Sequence, residues 1–228
     1  MEVDGEDGRT QNQLRPLACS HNILYRAHGS ASDTKVLATV YGPKEALEFK
    51  FHHVWVWFRY SGLPVRVQLV IQCLTRKLEE AYEMILKRTL QSICLLTINP
   101  NTTTSIIIQV INDDSALLSC AINAACVALV DAGIPTKHVA VAICCCVAKS
   151  GCVILDPTRL EEQTFPNSVH SVLPERSSSM QGKPIEHGIV TSVTNGIMSA
   201  DNYFYSVERG RAASVRVHSI DSSKAGWY

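Results

Sequence analysis

The sequence predicts a mixed α/β fold in which sheets pack on helices, and three observations carry that expectation. Runs of β-branched residues alternate along the chain with segments of helical periodicity, so neither element type dominates. Hairpin-like strand pairs occur beside longer crossovers, which favours mixed sheets over a regular doubly wound parallel sheet. Residues 111–135, INDDSALLSCAINAACVALVDAGIP, lead from a strand through a polar corner into a helix that is apolar on nearly every face. A helix apolar all round is buried all round, so it must lie inside the fold rather than on it.

Each element follows in order. Residues 17–43 read as two short strands around a Gly/Ser turn, the second being TKVLATVYG and ending at Gly42-Pro43. The segment LEEAYEMILKRTLQSICLL places Leu78, Tyr82, Ile85, Leu86, Leu90 and Ile93 at helical spacing and predicts an amphipathic helix. TTTSIIIQVIN is a strand too apolar for an exposed edge. The apolar helix follows over 116–132, with Asp113, Asp114 or Ser115 available as N-terminal caps. Gly133 and Pro135 supply its stop. HVAVAICCCVA, the turn KSG and CVILD predict a hairpin. HGIVTSVTNGIMS predicts a second one with Asn195-Gly196 at its turn. A closing helix begins at Ser199 as N-cap, with Gly210 as an interior weak point.

At 228 residues the chain is long enough for a substantial core and is read as one domain over 1–228, with an atypical segment at about 44–78. Hydrophobic residues make up 46% and charged residues 18%, a globular rather than disordered balance. The formal net charge is zero, so no global field draws the chain to nucleic acid or membrane, and any RNA role must rest on a local patch or on partners. The N-terminus is acidic and lacks a signal-peptide core, and the apolar runs break before membrane-spanning length. The nine cysteines show no ligand spacing for structural zinc. They read as reduced, buried thiols in a cytosolic or nuclear protein. Cys145 must face away from Cys144 and Cys146 if they lie on a strand.

A strand-to-helix corner is a common phosphate site, because the first helical N–H groups attract anions. Here Asp113 and Asp114 stand where an anion site favours Arg or Lys. A carboxylate on those N–H groups would occupy the phosphate's place and repel it. The corner therefore reads as a capped core helix in preference to a working anion site.

The same stretch carries a resemblance. NPNTTTSIIIQVINDDSALLSCAINAACVALVDAGIP, followed by AVAICCCV and VILDPTRLEE, resembles the RNase PH family. Within it the likeness is to the RNase PH-like ring subunits of the eukaryotic RNA exosome, in their plant form. DGRTQNQLRPLACSHNILYRAHGSAS and KVLATVYGP are similar to the family's opening strands, and EHGIVTSVTNGIMSADNYFYSVERGRAAS to its closing ones. The resemblance implies two βαβ-like halves and assembly, in pairs, into a ring whose pore threads RNA. It implies as partners other RNase PH-like subunits, RNA-binding cap subunits and RNA, and as locations nucleus, nucleolus and cytoplasm.

Active members of the family use phosphate to attack the terminal RNA linkage, and a Gly-Thr-Arg turn at the helix start holds that phosphate. The matching residues here are Ala116, Leu117 and Leu118. Leu118 replaces the arginine fork and supplies neither charge nor donor. The family's paired acids match Asp156 and Glu162, which in an active member bind a metal ion or act as acid on the leaving oxygen. Two acids after a strand also fit a plain solvated turn. Lys87 and Arg88 match basic positions that contact RNA phosphates, while Glu83 one turn back offers them a salt bridge instead. Arg15 is a further candidate cation for a shared RNA channel.

The sequence also departs from the family. A few residues of a strand–turn–strand corner are absent after Ser32, EFKFHHVWVWFRYSGLPVRVQLVIQC replaces a more polar segment, and the apolar strand after Gln163 is shortened. His52 and His53 face opposite ways if on a strand and read as packing residues. Trp55 and Trp57 share a face and read as an aromatic patch or subunit contact.

Three functions compete. One is a non-catalytic ring subunit of the exosome, serving as scaffold and channel lining in rRNA maturation and mRNA turnover. Another is a residual 3′-to-5′ nuclease using Asp156 and Glu162, either phosphorolytic or with a divalent metal such as Mg²⁺. The last is a homodimer that binds nucleic acid by itself. No cofactor is expected for the first.

Overall fold

Eleven residues rich in Thr and Ile form the strand at the centre of the first sheet, β3 (Thr102–Asn112). Thr104, Ile106 and Ile108 are buried along one face, as the two-residue repeat of a strand requires. β1 (Lys35–Glu45) pairs with β3 antiparallel, and β2 (Val65–Val70) pairs with its other side in parallel. The computed structural model describes residues 13–15, 34–45, 65–70, 76–95, 97–98, 102–148, 151–165, 167–174 and 188–225, with side chains described as far as 215. The first strand expected within 17–43 and the residues His52, His53, Trp55 and Trp57 lie outside the described residues. β2 falls inside the atypical segment, which thus contributes a strand to the sheet.

Two boundaries differ from expectation. β1 does not stop at Gly42-Pro43 but runs on to Glu45, absorbing the proline in a register shift between Tyr41 and Lys44. Pro is tolerated there because, among the described residues, β1 lies at the edge of its sheet. The expected hairpin at Asn195-Gly196 does not form. β7 (Thr191–Asn195) pairs instead with β6 (Asn167–Pro174), and Gly196, at φ 82°, turns the chain away from the sheet. Ile197 N–H then bonds Asn167 Oδ1, and Ser199 Oγ accepts Asn202 N–H to start α4 (Ala200–Ala225). The helix start outcompetes the turn, with Ser199 as the N-cap the sequence indicated.

The second sheet has the order β5-β4-β6-β7. β4 (Ala140–Val147) and β5 (Val153–Leu155) form the expected antiparallel hairpin. Every residue of β4 is buried, because α2 (Leu117–Asp131) packs on one face and α4 on the other. Val141, Ile143, Cys145 and Val147 join the smaller core with Ala213 of α4, while Ala140 and Ala142 join the larger one. Cys145 therefore does face away from its neighbours. It meets α4 at buried Gly210, where a Cβ would lie 3.8 Å from Cys145 Sγ, an ordinary packing distance. The segment read as shortened after Gln163 still supplies eight-residue β6, buried through its middle.

α2 is the pivot of the fold. It packs against β1 on one side and β4 on the other, which explains why its sequence has no polar face. Leu118, Ile122, Ala125 and Leu129 pack with Leu86, Leu90 and Ile93 of α1 (Arg76–Ile93) and with Ile106 and Ile108 of β3. Its polar Asn123 is matched on both sides of the amide. Asn123 donates from Nδ2 to Ala142 O at 2.9 Å and accepts Ala142 N–H at 2.7 Å. β5 pairs only with residues 145–147 of β4, so Asn123 serves the strand edge that β5 leaves open.

Candidate functional site

The polar corner between β3 and α2 carries the chemistry-bearing residues, and its local structure is not the one its sequence predicts. Asp113, Asp114 and Ser115 were the expected caps of α2. The N-cap is Ala116, in left-handed conformation at φ 53°, and no side chain caps the helix. Each expected cap is engaged elsewhere. Asp113 Oδ1 accepts Ser115 N–H at 3.2 Å, the Asp114 carboxylate is drawn to Arg15, and Ser115 Oγ donates a short hydrogen bond to Glu162 Oε2. Ser115 is also left-handed, at φ 76°. Two successive non-glycine residues in this region cost about 1–2 kcal/mol each, so long-range contacts must hold them.

Those contacts come from three distant segments. Thr34, next to β1, accepts Asp114 N–H at 3.0 Å and donates from its hydroxyl to Ser115 O at 2.7 Å. Arg159, in α3 (Arg159–Thr164), donates to Asp113 O. Glu162 on the same helix holds Ser115. Thr158 and Glu161 form a capping box at the start of α3, which fixes where Glu162 points.

Arg15 forms the strongest tie. Its Nε and Nη2 take both oxygens of Asp156, at 3.1 and 2.9 Å, while Nη1 takes Asp114 Oδ2 at 3.1 Å. Nη1 also reaches Asp114 O, Nη2 reaches Pro157 O, and the Arg15 backbone N–H reaches Asp156 Oδ2. The Arg15 side chain is 12% exposed and those of Asp114 and Asp156 are 22% and 21% exposed. A planar fork of this kind is shaped for a carboxylate, and partial burial strengthens it. Asp156, at φ 50°, is turned left-handed after β5 so that its carboxylate meets the guanidinium.

Asp156 and Glu162, matched by the resemblance to the family's paired acids, both lie at the corner, and neither is a solvated turn acid. Arg15, read from the sequence as a candidate channel cation, directs all three guanidinium nitrogens into this corner. Leu118, standing where the family carries its phosphate arginine, is 1% exposed and lies in the larger core. Lys87 and Arg88 are exposed on α1, whose opposite side buries Leu86 and Leu90. Sequence reading missed Thr34 and Arg159 and misjudged Arg15 and Ser115. Their partners lie up to 141 residues away, and no local spacing signals such pairs.

Behind the corner, α2 rests on a buried imidazole. His170 Nδ1 lies 3.2 Å from Ser119 Oγ, and its Nε2 lies 3.9 Å from Cys144 Sγ. Burial lowers the His170 pKa to about 4, so the ring is neutral at physiological pH. Burial, with Asp156 and Asp113 adding and Arg15 opposing, raises the Cys120 thiol to about 11. Tyr82 is also raised, chiefly by burial and then by Glu162 and Asp113. None of these groups is poised as a nucleophile or general base near pH 7.

A divalent metal, which the paired acids imply in active relatives, does not fit these residues. Both Asp156 oxygens face a guanidinium, and the Glu162 oxygen nearest the corner takes a hydroxyl proton. Among the described residues, no three His, Cys, Asp or Glu side chains converge as a ligand set.

Comparison with known proteins places this geometry. The signature of the 3′ exoribonuclease family, domain 1, matches residues 13–135, from just before Arg15 to the end of the α2 stop. The chain belongs to the RNase PH family. It is 57% identical to the exosome complex exonuclease RRP46 homolog of Arabidopsis thaliana, over 99% of this chain and all of that protein. The corresponding protein of Oryza sativa subsp. japonica is 49% identical over 95% of this chain and 93% of its own length. The crystal structure of rice Rrp46 superposes with a TM-score of 0.75 at 47% identity, covering 95% of this chain and 96% of that one. An Archaeoglobus fulgidus exosome with RNA bound to the active site shares the fold, with a TM-score of 0.67 at 16% identity over 93% of this chain and 91% of that one. The RNase PH fold expected from the sequence, mixed sheets packed on helices, is the one this chain adopts.

Proposed function

We propose that this chain is a non-catalytic subunit of an exosome ring, supporting 3′-to-5′ RNA processing and degradation as scaffold and channel lining. The single observation that carries the catalytic half of this reading is Leu118. The residue at the family's phosphate-arginine position is packed in the core between helices, so the corner lacks the fork that would hold an attacking phosphate. The assembly half is supported by near-full-length similarity to plant proteins named as exosome components. In this reading its partners are other RNase PH-like subunits, cap subunits and RNA, in nucleus, nucleolus and cytoplasm. Lys87 and Arg88, exposed on α1, supply RNA phosphate contacts without sequence preference, and such contacts weaken as salt rises. Asp156 and Glu162 are vestigial as catalysts and act as structural anchors of the corner.

The test is the native size and composition of the tagged protein recovered from cells. Recovery in a large assembly with several RNase PH-like partners is the expected result. Recovery only as a free dimer or monomer would overturn the ring assignment. A competing reading, a residual nuclease acting as a homodimer, draws on Asp156 and Glu162 meeting at one corner. It requires RNA cleavage by the isolated protein that is lost in Asp156→Asn.

A further inference from the structure

The mismatch between the acid corner and a metal ion has a specific cause. We propose that Arg15 is an internal cation that closes the corner to divalent metals, supplying to Asp156 and Asp114 the positive charge that a bound metal would otherwise bring. Three features carry this. The guanidinium engages both oxygens of Asp156 and one of Asp114, so a metal chelated by both Asp156 oxygens would have to displace Arg15. Displacement is opposed by the backbone as well as the side chain: the Arg15 N–H also bonds Asp156, and neighbouring Leu14 packs against the smaller core beside β4 and α4. Of the other acids at the corner, Glu162 directs one oxygen to the Ser115 hydroxyl from an α3 start fixed by its own capping box, and Asp113 directs one to the Ser115 N–H, so each already has a partner there.

A divalent ion entering beside Asp156 would therefore meet a like charge at contact distance and find its best ligand already bidentate. The corner keeps a cation between its two walls, but one that belongs to the chain. It is a fixed structural charge with no exchangeable water to activate, unlike a bound metal. This inference does not depend on ring assembly, because the charge, its partners and their distances lie within one chain.

The test is Mn²⁺ uptake by the purified full-length protein, read as loss of the free-ion electron paramagnetic resonance signal during titration with MnCl₂. Wild type is expected to take up no ion at the corner. Arg15→Gln, which keeps hydrogen-bonding capacity but removes the charge, is expected to bind Mn²⁺ roughly tenfold or more tightly than wild type. The gain should vanish when Asp156→Asn is added. Arg15→Lys, which keeps the charge but loses the fork, should still exclude the ion. Mn²⁺ uptake by wild type that disappears in Asp156→Asn would overturn the proposal. So would a folded Arg15→Gln protein that gains no affinity. If Arg15→Gln fails to fold, the wild-type and Arg15→Lys titrations decide alone, since uptake by either at Asp156 contradicts closure.

Discussion

The two ends of α2 close by opposite means. At its C-terminus the helix ends in a Schellman motif contained within six consecutive residues, Leu129 to Ile134. Gly133 N–H bonds Val130 O and Ile134 N–H bonds Leu129 O, with Gly133 left-handed at φ 68° and Ile134 and Leu129 both in the core. At its N-terminus no side chain caps the helix, and two non-glycine residues occupy left-handed backbone. There the order comes from Arg15, Thr34, Arg159 and Glu162, all far away in sequence. The C-terminal end is closed by local chemistry that any core helix can use. The N-terminal end is strained and ion-lined, with the buried Leu118 in the first turn of the helix.

This contrast makes the N-terminal end the fragile one, and Arg15→Gln should break it most. Removing the guanidinium leaves Asp114 and Asp156 without their counter-charge at partial burial, a loss of about 2–4 kcal/mol. Urea unfolding of the two proteins at pH 7 measures it, and a change below the error of the midpoint would refute the clamp.

Acid should act at the same end through His170, beneath the first turn of α2. Its pKa is lowered in the fold from 6.5 to about 4. The unfolded chain therefore binds more protons between these values, and stability falls as pH falls through that window. Full stability is present above pH 6.5 and declines toward pH 4. Between pH 7 and pH 5 the His170 share is about 2 kcal/mol. Replacing His170 with Gln should flatten the curve over this interval, whatever it does to stability at pH 7.

Smaller changes sharpen the comparison. Gly133→Ala meets no atom within 4 Å but must hold φ 68°, so it should cost about 1 kcal/mol from backbone conformation alone. Ala116→Gly runs the other way. Gly is at home at φ 53°, and relieving the strain should stabilise the protein by about 0.5–1 kcal/mol despite the added freedom of the unfolded chain. Thermal melts of the two variants should shift in opposite directions. Shifts of the same sign would mean that the corner's backbone is not strained.

What was legible in the sequence follows the same division. β3, α2, the β4–β5 hairpin and the Gly133 stop each depend on residues close in the chain, and all were expected. The alternation that separates Cys145 from Cys144 and Cys146 needed only the strand repeat. The caps of α2 were misread because Asp113, Asp114 and Ser115 have the right residue types but stronger claims from Arg15 and Glu162. Asn195-Gly196 carried a hairpin signal that lost to the Ser199 helix start. Arg15 looked like a surface cation, and nothing near it in sequence reveals carboxylates 99 and 141 residues away. The family resemblance singled out Asp156 and Glu162 as a pair, but gave neither their place at this corner nor the arginine that occupies it.

The central claim is that this corner keeps its shape without its phosphorolytic chemistry. The most direct measurement is release of nucleoside diphosphates from a 3′-unstructured RNA by the purified protein, with and without inorganic phosphate. The account predicts no phosphate-dependent release above that of Asp156→Asn. Phosphate-dependent release by the wild-type protein that is lost in Asp156→Asn would show that the corner is an active site despite Leu118.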